Sequence, residues 1–408
     1  MLILAWRNIW RNRRRTLITL IAISVSLMLV QAFHNLSFGV YAQMVDSGVR
    51  SGSGHIAVYR GDYVSSRDDR LFWDKEDLDH KISALPGVRA TLPRVYLPGL
   101  AQSSRESRGI LLTGIDPARE NDINPLLKNI AAPEVIRTLD GRDALIGSRL
   151  LTELKLNIGN KFVVTSRGEN GTLTNELFRI RGVVSSGIRA VDSSLVMVGR
   201  QRAAAMAAHP NAIHELAIIL DHPDLEDQLT TEIAALIPPG AGLNVVSWEV
   251  AMENLSNAIK LDYASQKFIF LIIVLIVTIG VINTLLMSVM ERIREFGVIL
   301  AVGASPAKLR IMVMSEAFLI GLIAMLFGNI LGTLVTWYLV DVGIDLRDFV
   351  PETMEFGGVV FDPVMRAGWD LVYMGKMSIY VLILAVIAAL YPANKAARTA
   401  PATAMRHH

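Results

Sequence analysis

Few residues of this chain have types and spacings that could do chemistry. The 408-residue sequence contains no cysteine, which excludes disulfides, thiolate metal sites and cysteine nucleophiles. It has no G-x-x-x-x-G-K-[ST] loop, so it cannot bind and hydrolyse ATP by that route. The nearest match to a G-x-S-x-G nucleophile elbow, residues 303–307, lacks the closing glycine and does not follow a strand pattern. The sequence therefore does not predict an enzyme or any catalytic residue.

The histidines also give no sign of a metal site, because they lack the spacing of metal ligands. We expect structural roles for them and predict neither a metal nor a cofactor. The formal net charge is only +2, so no overall basic field indicates a nucleic-acid partner. The histidines concerned are His34, His55, His80, His209, His214 and His222.

The most informative charged stretch is a connector, residues 290–310, between the apolar runs Phe268–Val289 and Ile311–Val340. Each run is long enough to cross a bilayer, at roughly 20 residues per span. The connector is therefore predicted to form a tight corner at one membrane face. Lys308 and Arg310 lie at its far end.

Charges and small residues fill the first half of the connector. Glu291 and Glu295 are one helical turn apart, with arginines beside them, so the membrane helix is expected to continue as an amphipathic, charge-paired segment. The small residues form a stripe that favours close approach of another surface, although small residues are equally typical of turns. The arginines are Arg292 and Arg294, and the stripe is Gly297, Ala301 and Ala304.

The second half of the connector has the chemistry of a helix end and a helix start. Gly303 is suited to end the first helix, because glycine adopts the left-handed conformation there at low cost. Ser305 is a good N-cap for the next helix, and Pro306 suits its first position, where a missing N–H costs nothing. The sequence thus predicts a defined corner between two helices.

The composition indicates a membrane protein with a large part in water. Hydrophobic residues make up 52% of the chain and the mean hydropathy is +0.40, too apolar for a typical soluble protein and too charged for membrane helices alone. Arginines within residues 7–15 precede an apolar run, Leu17–Phe38, which is too long for a signal peptide. We predict a first span with the N-terminus in the cytoplasm, and an interfacial face formed by Trp6 and Trp10.

From residue 41 to residue 266 the sequence changes character, and no apolar stretch reaches spanning length. β-branched residues between turn signals predict strands, and other segments are helical. The mixture predicts an α+β domain outside the membrane. The expected strands are His55–Tyr59, Gly109–Gly114, Lys161–Thr165, Leu177–Val184 and Leu195–Val198, and the expected helices are Lys75–Leu85, Ser148–Leu154, Arg200–Ala208, Leu225–Leu236 and Trp248–Lys267.

The remaining spans follow from hydropathy and charge. The second, Phe268–Met290, contains Asn283, which is expected to hydrogen-bond a neighbouring helix. The third, Glu316–Val340, carries small residues every four positions, a packing face for a helix of this chain or of a second subunit. A polar, acid-rich loop, Asp341–Asp370, follows, and the last span is Val372–Leu390. The small residues are Ala324, Gly328 and Gly332.

The predicted fold is therefore a membrane α-helical protein with four transmembrane helices and a large α+β extracytoplasmic domain inserted between helices 1 and 2. Residues 1–40 form the N-terminal segment and first span, residues 41–266 the inserted domain, and residues 267–408 the other three spans with the connector. An even number of crossings and basic residues near both ends place both termini in the cytoplasm.

Taken together, these residues resemble the permease subunits of the ABC transporter group that includes LolC, LolE, MacB and FtsX. The connector pattern Glu291-Arg292-x-x-Glu295-x-Gly297 and the Gly-rich third span carry the likeness. So do the basic start, Leu4–Arg15, and the end of the chain, Tyr391–Arg406. The stretches Gly54–Ile56, Leu112–Glu120 and Leu145–Gly159 are similar to the lipoprotein-releasing branch.

The resemblance implies a separate cytoplasmic ABC ATPase that binds ATP and docks on the connector, and a second permease subunit, identical or related. It implies that the helix around residues 301–308 is the coupling element, supported by the charges at Glu291, Arg292 and Glu295. The protein would then lie in the inner membrane, with the inserted domain in the periplasm. The coupling residues carried over are Glu291, Arg292, Glu295, Gly297, Ala301, Gly303, Ala304, Ser305, Pro306 and Lys308.

The function implied is release or transport of lipoprotein or another lipid-like substrate. Two alternatives stay open: an FtsX-like regulator of a cell-wall hydrolase, and MacB-like drug or peptide efflux with an adaptor. Lipoprotein-releasing subunits that recruit a periplasmic carrier use a long, partly apolar hairpin. The corresponding stretch, Ser166–Glu176, is shorter and polar, which argues against carrier recruitment and predicts a plain hairpin with its turn at Asn170-Gly171.

Overall fold

The computed structural model describes most of the chain, namely residues 2–74, 76–128, 130, 139, 141–168, 171–346, 355–356, 359–360 and 364–398. Several predicted features fall partly outside these ranges. They are Asn170 of the hairpin turn, Lys75 at a predicted helix start, Asp348, Glu352 and Asp362 of the acid-rich loop, and residues 399–406 of the C-terminal motif.

The helices of the described chain include long ones at the predicted spans and short ones between strands. They are α1 (Leu2–Arg11), α2 (Arg13–Ser51), α3 (Tyr63–Ser66), α4 (Glu76–Ser83), α5 (Pro117–Glu120), α6 (Pro125–Lys128), α7 (Ser148–Glu153), α8 (Arg189–Asp192), α9 (Arg200–Met206), α10 (Glu226–Leu236), α11 (Trp248–Ala251), α12 (Glu253–Glu291), α13 (Ile293–Ala301), α14 (Pro306–Asp341), α15 (Leu371–Ala388) and α16 (Leu390–Ala397).

The strands lie mostly between α2 and α12. They are β1 (Ile56–Arg60), β2 (Trp73–Asp74), β3 (Val88–Gln102), β4 (Ser107–Ile115), β5 (Asp143–Gly147), β6 (Lys161–Arg167), β7 (Leu173–Val184), β8 (Leu195–Gly199), β9 (Ala212–Ile213), β10 (Glu215–Leu220), β11 (Leu243–Ser247), β12 (Ile344–Asp345), β13 (Glu355–Phe356), β14 (Val359–Val360) and β15 (Val364–Met365).

The chain divides into two compact units. One, here called the membrane unit, comprises Met1–Ala42, Leu261–Leu346 and Val364–His408, and the other, the inserted domain, comprises Gln43–Lys260 and Arg347–Pro363. The α+β character predicted for the inserted domain is confirmed. The predicted strands are present as β1, β4, β6, β7 and β8, and the predicted helices as α4, α7, α9, α10 and the pair α11 and α12.

Four helical segments of the described chain are long and apolar enough to cross a membrane, which confirms the four-span prediction. Each contains a predicted span and extends beyond it at both ends, because helix formation does not stop where the apolar run stops. The segments are Arg13–Ser51, Glu253–Glu291, Pro306–Asp341 and Leu371–Ala397.

The inserted domain is built on one mixed sheet with the strand order β11-β1-β10-β3-β4-β8-β5-β7-β6. The edge strand β6 also pairs with β3, so the six strands from β3 to β6 close into a ring. Pairing is antiparallel except for β4 with β8 and β5 with β7. The core is filled by alternating apolar side chains of these strands, such as Leu97, Leu112, Phe162 and Phe178.

The longest strand, β3, was not predicted from the sequence. Its first half, up to Arg94, pairs with β10, and its second half, from Val95, pairs with β4 and β6. Pro93 and Pro98 lie within it and pair with Leu216 and Leu111. Because proline cannot donate to a strand ladder, these prolines mask the strand in the sequence, while partners on both sides stabilise it in the fold.

A buried polar network fixes the end of α2 inside the inserted domain. Arg94, 1% exposed, forms a two-pronged ion pair with Glu120 through Nε (2.5 Å) and Nη2 (3.0 Å). Its Nη1 also donates to the backbone oxygens of Ser51 and Gly52. Carbonyl groups at a helix end lack partners within the helix, so Arg94 caps α2 from the sheet.

Candidate functional site

The corner between the second and third spans has the backbone geometry that its sequence predicts. At the end of α13, the N–H of Gly303 donates to Leu300 O (3.0 Å) and the N–H of Ala304 donates to Ile299 O (3.2 Å). This pair of bonds is a Schellman motif, which requires a left-handed residue after the helix. Gly303 meets the requirement with φ of 98°.

The start of α14 is also capped as predicted. The side chain of Ser305 accepts a hydrogen bond from the backbone N–H of Lys308 at 3.4 Å, and Pro306 occupies the first helical turn. Four residues therefore separate the two helices, 302–305, and both helix ends are stabilised locally.

Beneath the corner lies a buried ion pair that the sequence did not indicate. The guanidinium of Arg292 donates from Nη1 to Glu316 Oε1 at 2.7 Å, and their side chains are only 7% and 6% exposed. Asn8 Nδ2 donates to the same oxygen at 2.7 Å. Arg292 also lies over the ring of Phe296, 4.9 Å from its centroid. The pair joins the connector to α14 and to the N-terminal helix α1.

The connector glutamates pair with the N-terminal arginines as well as with their own segment. Arg11 Nη1 lies 2.6 Å from Glu295 Oε1, Arg292 Nε lies 3.1 Å from Glu295 Oε2, and Arg15 pairs with Glu291. Partial burial raises the pKa of Glu295, but the hydrogen bonds from Arg11 and Arg292 outweigh it and hold the pKa below its usual range. The basic start of the chain thus pairs with the two glutamates of the connector.

An apolar cluster supports the inner side of the corner. Phe296 is completely buried and packs with side chains of α12, α14 and α16. The helix α16 contains the first part of the C-terminal motif, which begins at Tyr391. Motifs from both ends of the chain therefore meet at the connector. The cluster is Val289, Phe296, Leu309, Met312, Val313, Ala393 and Ala396.

The outer side of the corner is exposed and apolar at its tip. Val302 is 83% exposed, and Val298 and Ile299 are 49% and 39% exposed. Around them lie the predicted coupling residues that are exposed, namely Ala301, Gly303, Ser305, Pro306 and Lys308, with Ala304 half-buried. Exposed apolar groups at a rigid turn are suited to insertion into a groove of another protein.

Not every predicted coupling residue reaches this surface. Gly297 is buried beside Phe296, so the stripe of small residues is not one continuous exposed face. Arg292 is buried too, as described above, whereas Glu291 and Glu295 are exposed and pair with Arg15 of α2 and Arg11 of α1. No sequence pattern pointed to Asn8 or to the exposed tip, and Glu316 was expected only as the first residue of the third span. The signal for Glu316 was a carboxylate at the edge of an apolar run, which needs a partner.

The small residues of the third span pack against the first span within this chain. The backbone oxygen of Ala324 accepts a hydrogen bond from Ser24 Oγ at 3.0 Å. A Cβ added at Gly328 would lie 2.9 Å from Leu27, and one added at Gly332 would collide with Gln31. Of the two options left open by the sequence, the structure shows the contact within the chain.

Asn283 of the second span does not form the predicted hydrogen bond to a neighbouring helix. Its side chain is exposed on α12 and has no hydrogen-bond partner among the residues that the structure describes. The nearby Thr284 bonds both to Thr19 Oγ1 (3.1 Å) and to the backbone of Gly280 (2.9 Å). Among the described residues, α12 bonds its neighbouring helix through Thr284 instead.

An apolar cavity of about 280 Å³ lies in the membrane unit, lined by α2, α12 and α15. Polar groups line it as well: His34, Gln266 and Tyr373. His34 stacks on Tyr373, with ring centroids 3.4 Å apart, and its Nε2 lies 3.1 Å from Asp370 Oδ2. The apolar residues are Leu29, Val30, Phe33, Ile269, Phe270 and Ile273.

Comparisons with known proteins cover both units. Residues 16–236 match the family model of the MacB-like periplasmic core domain, and residues 267–401 match that of the FtsX-like permease C-terminal region. The chain is 25% identical to the lipoprotein-releasing system transmembrane protein LolC of Neisseria meningitidis serogroup B, with 79% of each chain covered. It is 21% identical to LolC of Xylella fastidiosa, covering 79% of this chain and 78% of that one. It is also 29% identical to the ABC transporter permease YtrF of Bacillus subtilis, covering 48% of this chain and 43% of that one.

Proposed function

This chain belongs to the family of ABC transporter permeases with a MacB-like periplasmic core domain and an FtsX-like permease region, and we propose that a separate cytoplasmic ATPase drives it through the corner between α13 and α14. ATP is bound by that partner. The chain itself is not an enzyme, and its part is to convert movement at the corner into work in the periplasm.

The observation that carries this proposal is the build of the corner. Its tip, Val298, Ile299 and Val302, is exposed and apolar, while its base is fixed by the buried pair Arg292–Glu316 and by Phe296. A flexible turn would deform under a force applied by the ATPase. A corner that is capped at both helix ends and packed against α1, α14 and α16 transmits this force to the membrane spans.

The orientation that follows is that of an inner-membrane protein with both termini in the cytoplasm. Basic residues concentrate near the corner and the N-terminus, as the positive-inside rule requires. The ATPase therefore meets the same membrane face that carries Arg7, Arg11 and Arg15. A second permease subunit completes the transporter.

The proposed substrate is a lipoprotein or another lipid-like molecule. Two observations support this class over a water-soluble one. The cavity of the membrane unit combines apolar walls with a few polar side chains, an arrangement suited to an acyl chain with a polar head. The LolC relatives are named for lipoprotein release.

A pull-down from native membranes in mild detergent tests the coupling. We expect a P-loop ATPase to co-purify with the wild-type chain and to be lost with Val302→Glu, which places a charge in the apolar tip. Val342→Glu is the matched control: Val342 is 55% exposed and lies at the opposite end of α14, so the ATPase should be retained. Absence of an ATPase from the wild-type sample, or its retention with Val302→Glu, would refute the coupling proposal.

Reconstitution with the ATPase in proteoliposomes tests the substrate. ATP-dependent release of a lipoprotein or lipid supports the proposed function. Capture of a cell-wall hydrolase without any release would identify an FtsX-like regulator instead, and export-dependent drug resistance with an adaptor protein would identify efflux.

A further inference from the structure

The N-terminal helix α1 has a packed side and an exposed side. Ala5 and Ile9 are buried, and Ile9 lies in one apolar cluster with Ala317 of α14. On the other side Trp6 and Trp10 are exposed and meet edge to face, with ring centroids 5.9 Å apart. A helix that packs on one side and presents tryptophan on the other is typical of the headgroup region of a membrane.

The turn from α1 into α2 is fixed by hydrogen bonds. The buried hydroxyl of Thr16 donates to Ile9 O at 2.7 Å, and the N–H of Thr16 donates to Asn12 O at 3.2 Å. These bonds tie the first turn of α2 to the last turn of α1. Arg13 and Arg14, which begin α2, are therefore held on an ordered backbone and do not belong to a loose basic tail.

The five arginines between residues 7 and 15 fall into two sets. Two of them pair with the connector glutamates, as described above. The other three are exposed and form no ion pair within the part of the chain that the structure describes. Their charge is therefore open to a ligand from outside. These three are Arg7, Arg13 and Arg14.

An exposed arginine needs no partner in water, so the surface beside these residues decides what they meet. Leu17 and Ile18 follow Arg13 and Arg14 by four residues, about 6 Å along the helix, and both are exposed in the first span, as is Ile21. One exposed stripe of α2 thus passes from positive charge to hydrocarbon within a helical turn. A water-soluble protein does not reach side chains inside the bilayer, whereas a phospholipid places its phosphate and its acyl chains in this order.

We propose that Arg7, Arg13 and Arg14 bind the headgroup of an anionic phospholipid, with Trp10 at headgroup depth beside it. Paired N–H groups of a guanidinium match the oxygens of a phosphate, and three charges without a counter-charge favour an anionic lipid over a zwitterionic one. Because Arg11 and Arg15 hold the connector glutamates from the same two helices, a bound lipid also stabilises the helices that support the corner. The inference goes beyond the proposed function and is independent of the ATPase.

Tryptophan quenching measures this contact directly. The full chain, without the ATPase, is reconstituted in vesicles of phosphatidylcholine and phosphatidylglycerol, one of which carries brominated acyl chains. Bromine quenches tryptophan on contact, so the ratio of quenching by the two brominated lipids gives their relative binding constant. The contribution of Trp6 and Trp10 is the difference between each protein and the same protein with Trp6→Phe and Trp10→Phe. Both leaflets carry the same lipids, so the result does not depend on orientation.

The test variant combines Arg7→Gln, Arg13→Gln and Arg14→Gln. Its matched control removes the same charge from three other exposed arginines of the membrane unit, with Arg294→Gln, Arg310→Gln and Arg398→Gln. The single variant Arg14→Gln is measured as well, because one substitution leaves most of the basic start in place if the triple variant does not fold.

We expect phosphatidylglycerol to quench Trp6 and Trp10 of the wild-type chain more than phosphatidylcholine does at the same mole fraction. Arg14→Gln should lower the relative binding constant about fivefold, the value of one charge near an anionic surface. The test triple should lose the preference, and the control triple should keep it.

Three results would overturn the proposal. Equal quenching of the wild-type chain by the two lipids would leave the arginines as a topology signal only. An equal loss in both triple variants would indicate diffuse surface charge and no site. Loss of the ATPase from the test triple in the pull-down, without a lipid preference in the wild-type chain, would assign these arginines to the ATPase. Retention of the ATPase by the wild-type chain is measured separately, so failure of the lipid site leaves the coupling proposal standing.

Discussion

Arg292 and Glu316 are joined across the connector by a hydrogen bond of 2.7 Å, with less than a tenth of either side chain exposed. Removal of one member of such a pair leaves the other charge buried without compensation, which costs about 3–5 kcal/mol. We therefore expect Arg292→Ala to lower the melting temperature of the detergent-solubilised chain strongly. Arg294→Ala, in the same turn but exposed, should have little effect.

Replacing both members separates the cost of the unpaired charge from the value of the pair. Exchange of a buried ion pair for apolar groups is often neutral, so Arg292→Met with Glu316→Leu should be more stable than Arg292→Ala alone. Asn8 loses its hydrogen-bond acceptor, Glu316, in this double variant, so the stability should recover only in part. Equal melting temperatures for Arg292→Ala and Arg294→Ala would show that the pair does not support the corner.

Close packing of the first and third spans predicts a size-dependent effect at Gly328. A Cβ there would lie 2.9 Å from Leu27 Cδ2 and 3.0 Å from Leu27 Cβ, too close for Leu27 to relieve by turning its side chain. Gly328→Val should destabilise the membrane unit by about 1–3 kcal/mol. Gly375→Val in α15, where an added Cβ meets nothing within 4 Å, should be tolerated.

A double variant then checks the direct contact. Leu27→Ala makes room for the added valine, so the cost of Leu27→Ala with Gly328→Val should be smaller than the sum of the single costs, as measured by thermal unfolding. Additive costs would mean that the two residues do not share a site.

Buried Arg94 predicts that arginine and lysine are not interchangeable in the inserted domain. Nε and Nη2 of its guanidinium donate to Glu120, and Nη1 donates to a backbone carbonyl at the end of α2. A lysine ammonium cannot form this fork. We expect limited proteolysis to cut the Arg94→Lys variant faster than wild type, with Arg94→Leu worse still because Glu120 is left unpaired. Arg89→Lys, exposed on the same strand, is the control, and equal digestion rates for both lysine variants would contradict the cap.

His214 predicts loss of stability in acid. Its Nδ1 accepts from the Tyr96 N–H (3.2 Å) and its Nε2 lies 2.9 Å from Asp69 O, so both nitrogens are engaged when the ring is neutral. Burial lowers the pKa of His214, and Asp69 and Glu215 only partly oppose this. Burial also lowers the pKa of His55, whose Nδ1 accepts from the Leu220 N–H.

The direction in which stability changes with pH follows from proton binding. Below the unfolded pKa, near 6.5, the unfolded chain binds protons that the folded chain excludes, so stability falls as the pH drops from about 7 to 5. Melting temperatures across this range should fall more steeply for wild type than for His214→Asn, with the exposed His80→Asn as control. Parallel profiles for wild type and His214→Asn would contradict the prediction.

The corner shows what local sequence can predict. Gly303, Ser305 and Pro306 act on the backbone within a few residues of themselves, so their types and order were enough to predict where α13 ends and α14 begins. The same holds for the four spans, because hydropathy is a property of a continuous segment.

The choice of partner was decided only by the tertiary structure. The pairing of Arg292 with Glu316, the contact of Gly328 with Leu27 and the prolines inside β3 depend on segments far away in the chain. Local charge spacing predicted pairing within the connector, yet Arg11 of α1 and Arg15 of α2 form two of the three ion pairs that the structure describes for its glutamates, because the packed helices bring these arginines within reach. A sequence pattern determines which groups need partners, and the packed fold determines which partners they find.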